Sequence, residues 1–263
     1  MKFPLNHDLH VHTNLSACCH GVGPEAADII SHALQHGYDM VCTTDHMWDS
    51  SIPGASEWYL TQNQDHVRRN LPLPQADGLR VLFGCETEFL GGQHLAISRQ
   101  AFDYFDFVVI PVNHFHLTRP EGCTSVQQVA ELYMRRFEEL IRLDLPWTKV
   151  GIAHMTTHLT FHEPVDAHFQ VYPLLPEERL REVLRFLAVK GAGIELNAGC
   201  FRPGWEQFYE ENLRMYRLAK AAGCKFYGCS DAHSVERLAG IQKSLPAVVD
   251  ILGLTANDRF VPS

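Results

Sequence analysis

The stretch YDMVCTTDH, Tyr38 to His46, decides the fold because it joins a strand-like run to a polar end. Its first half is mostly apolar and carries residue types that favour buried strands. Its last two residues, Asp45 and His46, are of types that bind metal ions. Six more segments follow this pattern and predict seven strands in total: LNHDLHVH (5–12), RVLFGCETEF (80–89), FDFVVIPVNH (105–114), KVGIAH (149–154), AGIELNA (192–198) and KFYGCSDAH (225–233).

Segments with helical spacing lie between these strands. The strongest predictions place helices over 24–35, 125–143, 176–190 and 207–222, with Pro24 in the first turn of one and Gly37, Gly191 and Gly223 beyond the ends of three. A further helix is predicted over 58–70 and a long loop over 158–173. Alternating strands and helices predict a parallel sheet, and about 250 residues suit one α/β barrel. We therefore predict a single domain over residues 1–263.

The composition limits the function classes. Of the 263 residues, 46% are hydrophobic, which is enough to bury a core without disulfides, and the eight cysteines are scattered. The net charge of -9 disfavours nucleic-acid partners. No apolar run approaches the roughly 18 residues of a membrane span, and the first residues lack a signal peptide. We expect a cytoplasmic protein with no membrane partner. The 16 histidines are more than packing requires and need a chemical explanation.

Metal-binding side chains gather at the ends of the predicted strands. In a parallel barrel the carboxyl ends of all strands lie on one surface, where active sites are built. His10 and His12 are two residues apart, so strand alternation sends both imidazoles to one face, and Asp231 and His233 repeat this spacing. Four further strands each contribute one candidate: His46, Glu86, His114 and His154.

Each candidate has an ordinary interpretation when it is taken alone. A histidine is more often a hydrogen-bonded residue than a ligand, and isolated His-x-His pairs are common. Glu86 is equally compatible with a buried ion pair to an arginine. Six strand ends with such side chains are improbable by chance, so we interpret the set as a cluster of two or three divalent metal ions. Imidazole and carboxylate ligands suit zinc, manganese or iron(II) and leave the choice open.

The chain resembles the polymerase and histidinol phosphatase (PHP) superfamily over nearly its whole length. The resemblance rests on HVHT followed by SACCH, on TTDH, on GCE, on the isolated His114 and His154, and on SDAH near the end. The stretch IELNAGCFR is similar to a segment of the histidinol-phosphatase branch. The resemblance implies a distorted (β/α)7 TIM-like barrel with a trinuclear metal site.

The resemblance also implies three ligand sets. The first metal would be held by His10, His12, Glu86 and Asp231, the second by Glu86, His114 and His154, and the third by His20, His46 and His233. His20 is assigned because its interval to the helix-ending Gly37 matches that of the family. Cys18 is the alternative third-site ligand, favoured if the ion is zinc and the thiolate is accessible.

A cluster of this kind predicts hydrolysis of phosphate esters. Paired metals about 3.5 to 4 Å apart hold a bridging water, depress its pKa and clamp the oxygens of an in-line displacement. The nucleophile would be a metal-bound hydroxide, and the predicted catalytic residues are Glu86, Asp231 and His233, the last two as proton relays. Asp8 and Asp45 each lie beside a ligand and are candidates to orient imidazoles, with solvated carboxylates as the equal alternative.

Arg202 is the candidate substrate-binding residue. It follows the sixth strand in NAGCFRPGW and could pair bidentately with a phosphate, although an ordinary surface arginine is an equal alternative. His94 and His116 lie near predicted ligands in the sequence, and we interpret both as polar residues at the rim of the site.

The most favoured function is that of a phosphomonoesterase acting on a small phosphorylated metabolite, with histidinol phosphate as the example that the resemblance suggests. A phosphodiesterase or exonuclease on nucleotides is one alternative, which the acidic balance and the lack of a basic stripe disfavour. A non-catalytic metal-binding module is the other, and the full set of ligands argues against it.

Overall fold

Seven parallel strands form one sheet in a computed structural model, which describes residues 1–161 and 166–263. The strands lie in sequence order and each pairs in parallel with the next. All carboxyl ends therefore lie at the same end of the sheet. The strands are β1 (His7–Val11), β2 (Met40–Met47), β3 (Arg80–Thr87), β4 (Phe107–Ile110), β5 (Val150–Ile152), β6 (Gly193–Asn197) and β7 (Lys225–Cys229).

The sheet curves until its first and last strands meet. Just beyond β1 and β7, His12 N donates to Ala232 O at 3.1 Å, and Asp231 N donates to His10 O at 2.9 Å. Val11 and Ala232 form a parallel bridge at the same place. The barrel is therefore nearly closed, and the predicted distorted (β/α)7 TIM-like barrel is confirmed.

Helices fill most connections between the strands. The helix Val126–Leu140 begins with a capping box in which Ser125 Oγ accepts from Gln128 N at 3.2 Å and Gln128 Oε1 accepts from Ser125 N at 3.0 Å. In the described part of the chain, no helix is both long and apolar enough to cross a bilayer. The helices are α1 (Ala26–Gln35), α2 (Glu57–Leu60), α3 (Gln64–Val67), α4 (Phe115–Thr118), α5 (Val126–Leu140), α6 (His168–Val171), α7 (Glu177–Lys190), α8 (Tyr209–Ala221) and α9 (Gly240–Leu252).

The helix predictions are partly confirmed. The four strongest correspond to α1, α5, α7 and α8 with small shifts at their ends. The single helix predicted over 58–70 is wrong, because the Asn63 side chain accepts from the N atoms of Asp65 and His66 and so starts α3 as a separate helix. The pattern gives no prediction of α9, which has Pro246 inside it. The predicted loop 158–173 contains α6, and its residues 162–165 lie outside the described part.

The barrel interior is filled with apolar side chains below the carboxyl ends of the strands. Leu82, Phe107, Tyr227 and Phe260 belong to one buried cluster there. Gly151 allows this packing, because a Cβ on it would overlap the rings of Phe107 and Tyr227. The interior is thus a packed base, and polar chemistry is confined to the end of the barrel above it.

Candidate metal centre

The residues predicted as metal ligands converge at the carboxyl end of the barrel. Strand alternation continues the inner face of β2 from Cys42 to His46, and that of β3 from Leu82 to Glu86. His46 and Glu86 are also register partners on the two strands. The side chains that meet at this end come from six strand ends: His10, His12, His46, Glu86, His114, His154, Asp231 and His233.

Glu86 lies at the centre of the group and faces imidazoles on two sides. Its Oε2 atom lies 3.4 Å from Nε2 of both His10 and His12. Its Oε1 atom lies 3.2 Å from His154 Nε2 and 3.5 Å from His114 Nε2. The residue is only 1% exposed. One carboxylate that presents an oxygen to each of two imidazole pairs has the arrangement of a bridging ligand.

The first group of possible ligand atoms belongs to His10, His12 and Asp231. These atoms all lie within 4.8 Å of one another. The two Nε2 atoms are 3.1 Å apart, and Asp231 Oδ1 lies 3.3 Å from His12 Nε2. Asp231 adopts a left-handed backbone conformation with φ 49°, which a non-glycine residue keeps only where its surroundings hold it. Asn197 Nδ2 donates to its Oδ2 at 3.1 Å and fixes the carboxylate.

The second group consists of Glu86, His114 and His154, whose possible ligand atoms also lie within 4.8 Å of one another. The two imidazole Nε2 atoms are 3.2 Å apart and the rings are stacked. Asn113 Nδ2 donates to His154 O at 2.8 Å, which joins the ends of β4 and β5 below these rings. Both imidazoles therefore have defined positions beside one oxygen of Glu86.

The third group contains Cys18 and does not contain His20. Possible ligand atoms of His12, Cys18, His46 and His233 lie within 4.8 Å of one another. These residues line one pocket at the carboxyl end of the barrel. His20 also lines it, but its side chain is exposed and it ends a short 3-10 turn (Ala17–Cys19) with φ 50°. The fold therefore places Cys18, the alternative ligand in the sequence-based prediction, beside the imidazoles.

Two buried carboxylates behind the imidazoles are missed by the sequence reasoning. Glu195 accepts from His10 Nδ1 at 2.8 Å, and Glu88 accepts from His114 Nδ1 at 2.6 Å. Each keeps a proton on Nδ1, which leaves Nε2 as the nitrogen that can bind an ion at the centre. Glu88 could have been identified from the sequence, because it follows Glu86 by two residues and so lies on the same strand face. Glu195 shows only as an acidic residue inside the apolar run GIELN.

The donor chemistry fits divalent cations. Two imidazoles that both present Nε2 lone pairs at 3.1 to 3.2 Å repel each other unless a proton or a cation lies between them. His233 Nδ1 donates to Asp231 O at 2.9 Å, which leaves its Nε2 free as well. Burial and the neighbouring His12 lower the pKa of His233 to about 4. Burial also lowers the pKa of His46 well below its ordinary value. Both imidazoles are therefore neutral near pH 7, the form that binds metals.

Asp8 and Asp45 bond no imidazole nitrogen directly among the described residues, and both are buried, so the alternative of solvated carboxylates is wrong. Asp8 Oδ1 accepts from Ser230 N at 3.0 Å and holds β1 against β7. Asp45 Oδ1 accepts from Ser16 Oγ at 2.6 Å, and Ser16 Oγ lies 3.1 Å from His12 Nδ1. Asp45 thus positions His12 through an intervening hydroxyl group.

A cavity of about 540 Å³ opens beside the metal centre. Asp231 and His233 form part of its wall, and Arg202, Arg237 and Lys243 supply positive charge to the rest. Arg202 pairs with no carboxylate of the residues that the structure describes, and its guanidinium is free to meet an anion in this cavity. The substrate-binding candidate therefore lies beside the predicted ligands.

The two histidines interpreted as rim residues have different surroundings. His94 is exposed, and its Nε2 lies 3.1 Å from Pro53 O, outside the centre. His116 lines the pocket above the ligands, with its ring 5.2 Å from that of His114. Burial and the charge of His114 lower the pKa of His116 to about 3, so its imidazole is neutral near pH 7.

Solved structures that resemble this chain include the following two. The histidinol phosphate phosphatase HISK of Lactococcus lactis subsp. lactis Il1403, solved with zinc, L-histidinol and phosphate, is 19% identical with a TM-score of 0.63, over 97% of this chain and 98% of that one. A histidinol phosphatase candidate, hisK of Listeria monocytogenes, is 18% identical with a TM-score of 0.61, over 88% of this chain and 97% of that one. At these identities the likeness shows a shared fold alone.

A comparison with curated proteins gives no match. A family model does match, and its description is "PHP domain". The match runs from residue 8 to residue 199, which is well over half of the chain and includes the ends of the first six strands. As the sequence resemblance predicts, the chain belongs to the PHP domain family.

Proposed function

We propose that this chain is a metal-dependent phosphomonoesterase that hydrolyses a small phosphorylated metabolite. The observation that carries the proposal is the position of Glu86, with one oxygen facing His10 and His12 and the other facing His114 and His154. Two ions held on either side of Glu86 would form the kind of paired site that hydrolyses phosphate esters. The fold shared with a histidinol phosphate phosphatase that holds zinc and phosphate supports the same function.

The ligand sets follow from the three groups of donor atoms. The first ion would be held by His10, His12, Glu86 and Asp231, and the second by Glu86, His114 and His154. The third would be held by His46 and His233 with a further ligand from the loop after β1, as argued below. Zinc, manganese and iron(II) all accept such mixed imidazole and carboxylate sets.

Divalent ions bound here would supply Lewis acidity, lowering the pKa of a coordinated water and neutralising charge that develops on phosphoryl oxygens. The protein's part is to hold the donors rigidly. Glu195 and Glu88 keep His10 and His114 in the tautomer with a free Nε2. Asp231, whose side chain is 24% exposed and forms part of the cavity wall, would be the ligand that also relays a proton on that side.

The charge of the cavity beside the centre favours a small anionic molecule as the substrate. Arg202 presents a planar guanidinium that matches a phosphate, and Arg237 and Lys243 add positive charge to the same wall. The chain as a whole has a net charge of -9, so these three cations form a local positive region. The net negative charge disfavours binding of long nucleic acids. Histidinol phosphate is the first compound to test, because the similar Lactococcus structure contains L-histidinol and phosphate.

The test combines metal analysis with a substrate panel. Purified protein should carry at least two transition-metal ions per chain and should release inorganic phosphate from an aryl phosphate and, faster, from one phosphorylated metabolite. A matched panel of phosphodiesters and short oligonucleotides serves as the control. Metal content below one ion per chain, or faster cleavage of diesters than of any monoester, would contradict the proposal.

A further inference from the structure

We infer that the third metal site is completed by the Cys18 thiolate, which makes it a mixed sulfur and nitrogen site that prefers zinc to manganese. The inference depends on the metal centre of the proposed function, but it concerns one ligand and does not depend on any substrate. It differs from the sequence-based assignment, in which His20 fills this position. Four observations on the loop after β1 carry it.

The base of this loop is fixed immediately before Cys18. Ser16 Oγ donates to Asp45 Oδ1 at 2.6 Å, and Ser16 N donates to Thr13 O at 3.1 Å. Ala17 N donates to Gln62 Oε1 at 2.8 Å. Because these bonds anchor the two preceding residues to β2 and its connection, the direction of the Cys18 side chain is set by the fold.

The next residue shows that the two adjacent cysteines have different surroundings. Cys19 is 1% exposed and lies against Gly23, where an added Cβ would come within 2.9 Å of Cys19 Sγ. Cys18 lines the pocket together with His12, His46 and His233. One cysteine therefore packs inside the loop, and the other faces the imidazoles.

His20 lines the same pocket but is held differently from Cys18. Its backbone is in the left-handed conformation with φ 50° and ψ 29°, and its N–H donates to Ala17 O, which closes the turn. The side chain is exposed and lies outside every group of possible ligand atoms among the described residues.

The distances suit a site that closes around an ion. A tetrahedral zinc ion with Zn–S of about 2.3 Å and Zn–N of about 2.0 to 2.1 Å holds its ligand atoms about 3.3 to 3.6 Å apart. The donor atoms of Cys18, His46 and His233 already lie within 4.8 Å of one another. Shifts of about 1 Å are enough to complete the site, and a thiolate beside imidazoles favours zinc over the harder manganese ion.

Cobalt(II) substitution tests the inference without any measure of activity. Protein freed of metal and refilled with three equivalents of cobalt(II) should show an intense sulfur-to-cobalt charge-transfer band in the near ultraviolet. Cys18→Ser should lose this band and retain the weaker visible bands of the other two sites. His20→Ala and Cys19→Ser should keep it, because neither side chain is a ligand.

A Cys18→Asp variant separates loss of sulfur from loss of the site. It offers a hard oxygen ligand, so it should bind three ions, lack the band and shift the competition between zinc and manganese at least tenfold toward manganese. A wild-type protein that binds three cobalt ions without the band, or only two ions, would overturn the inference. A band that survives in Cys18→Ser would also overturn it, since another cysteine would then be the ligand.

Discussion

Replacing Glu195 by glutamine removes one negative charge behind His10 while keeping the size of the side chain. In the native site Glu195 Oε2 accepts from His10 Nδ1 at 2.8 Å and from Tyr227 OH at 2.9 Å. Its Oε1 accepts from His154 N and Asn197 Nδ2, each at 2.9 Å. All four partners donate, so the NH2 group of a glutamine meets at least one donor wherever it points.

The least costly orientation turns the new NH2 group toward His10 and Tyr227. The tyrosine hydroxyl can rotate and accept, but the His10 Nδ1–H loses its only acceptor. His10 then moves its proton to Nε2, the nitrogen that would bind the first ion in the proposed site. A hydrogen bond to a charged group contributes about 1.5 to 3 kcal/mol, which predicts a loss of about tenfold to hundredfold in affinity for the first ion.

The assay is a chelator competition that resolves the affinity of each ion, followed by turnover at saturating metal. Glu195→Gln should strongly lower the affinity for one ion. The variant should regain most of its turnover at high metal concentration, because the role of Glu195 is to position His10. Glu139→Gln is the matched control, since Glu139 accepts from Gly92 N on the surface away from the centre. An affinity change below threefold in Glu195→Gln, equal to that of the control, would refute the positioning role.

Three further predictions concern other parts of the molecule. Glu86→Gln should abolish phosphate release and lower the metal content measured by elemental analysis, with the circular dichroism spectrum unchanged; normal turnover with full metal would make Glu86 an ordinary buried acid. Arg202→Ala should lower kcat/KM for monoesters by about tenfold to hundredfold at unchanged metal content, and Arg202→Lys should recover only part; unchanged kinetics would remove Arg202 from the site. Burial lowers the pKa of His7 to about 3, so neutral His7 contributes stability above its unfolded pKa of 6.5 that is lost as the pH falls toward 3. In urea unfolding of metal-free protein, the wild type should lose about 2 kcal/mol relative to His7→Gln between pH 7 and pH 5, and a constant difference would contradict this reasoning.

The barrel was predictable because its strands are marked twice in the sequence. Each apolar run predicts a strand, and the polar residues at its end mark the carboxyl edge, as in the run that ends at His46. The connections were less predictable, since short-range side-chain contacts decide them. The Asn63 cap divides one predicted helix into two, and Pro246 lies inside a helix that packing against the barrel stabilises.

The predicted ligand residues on strands could be found from the sequence, because side chains two residues apart on a strand point to the same face. No such period applies to residues on the loop after β1. Whether Cys18 or His20 faces the centre depends on a single left-handed residue and on the side-chain bonds of Ser16, neither of which has a sequence period. Glu195 was missed for another reason. A buried glutamate in an apolar strand is recognisable as a partner of His10 only when it is known that the barrel closes between β1 and β7, which brings β6 within one strand of β1.

The closure of the barrel between β1 and β7 affects the order in which the protein can acquire its ions during synthesis. Asp8 and its partner Ser230 are separated by 222 residues, so a ribosome needs roughly 10 to 45 s to produce the second after the first. During that interval the nascent chain displays His10 and His12 without Asp231, whereas Glu86, His114 and His154 emerge earlier as a separate set. In the proposed ligand set, an ion at the first site would join residues from the two ends of the barrel, so this site would be the last to gain all of its ligands.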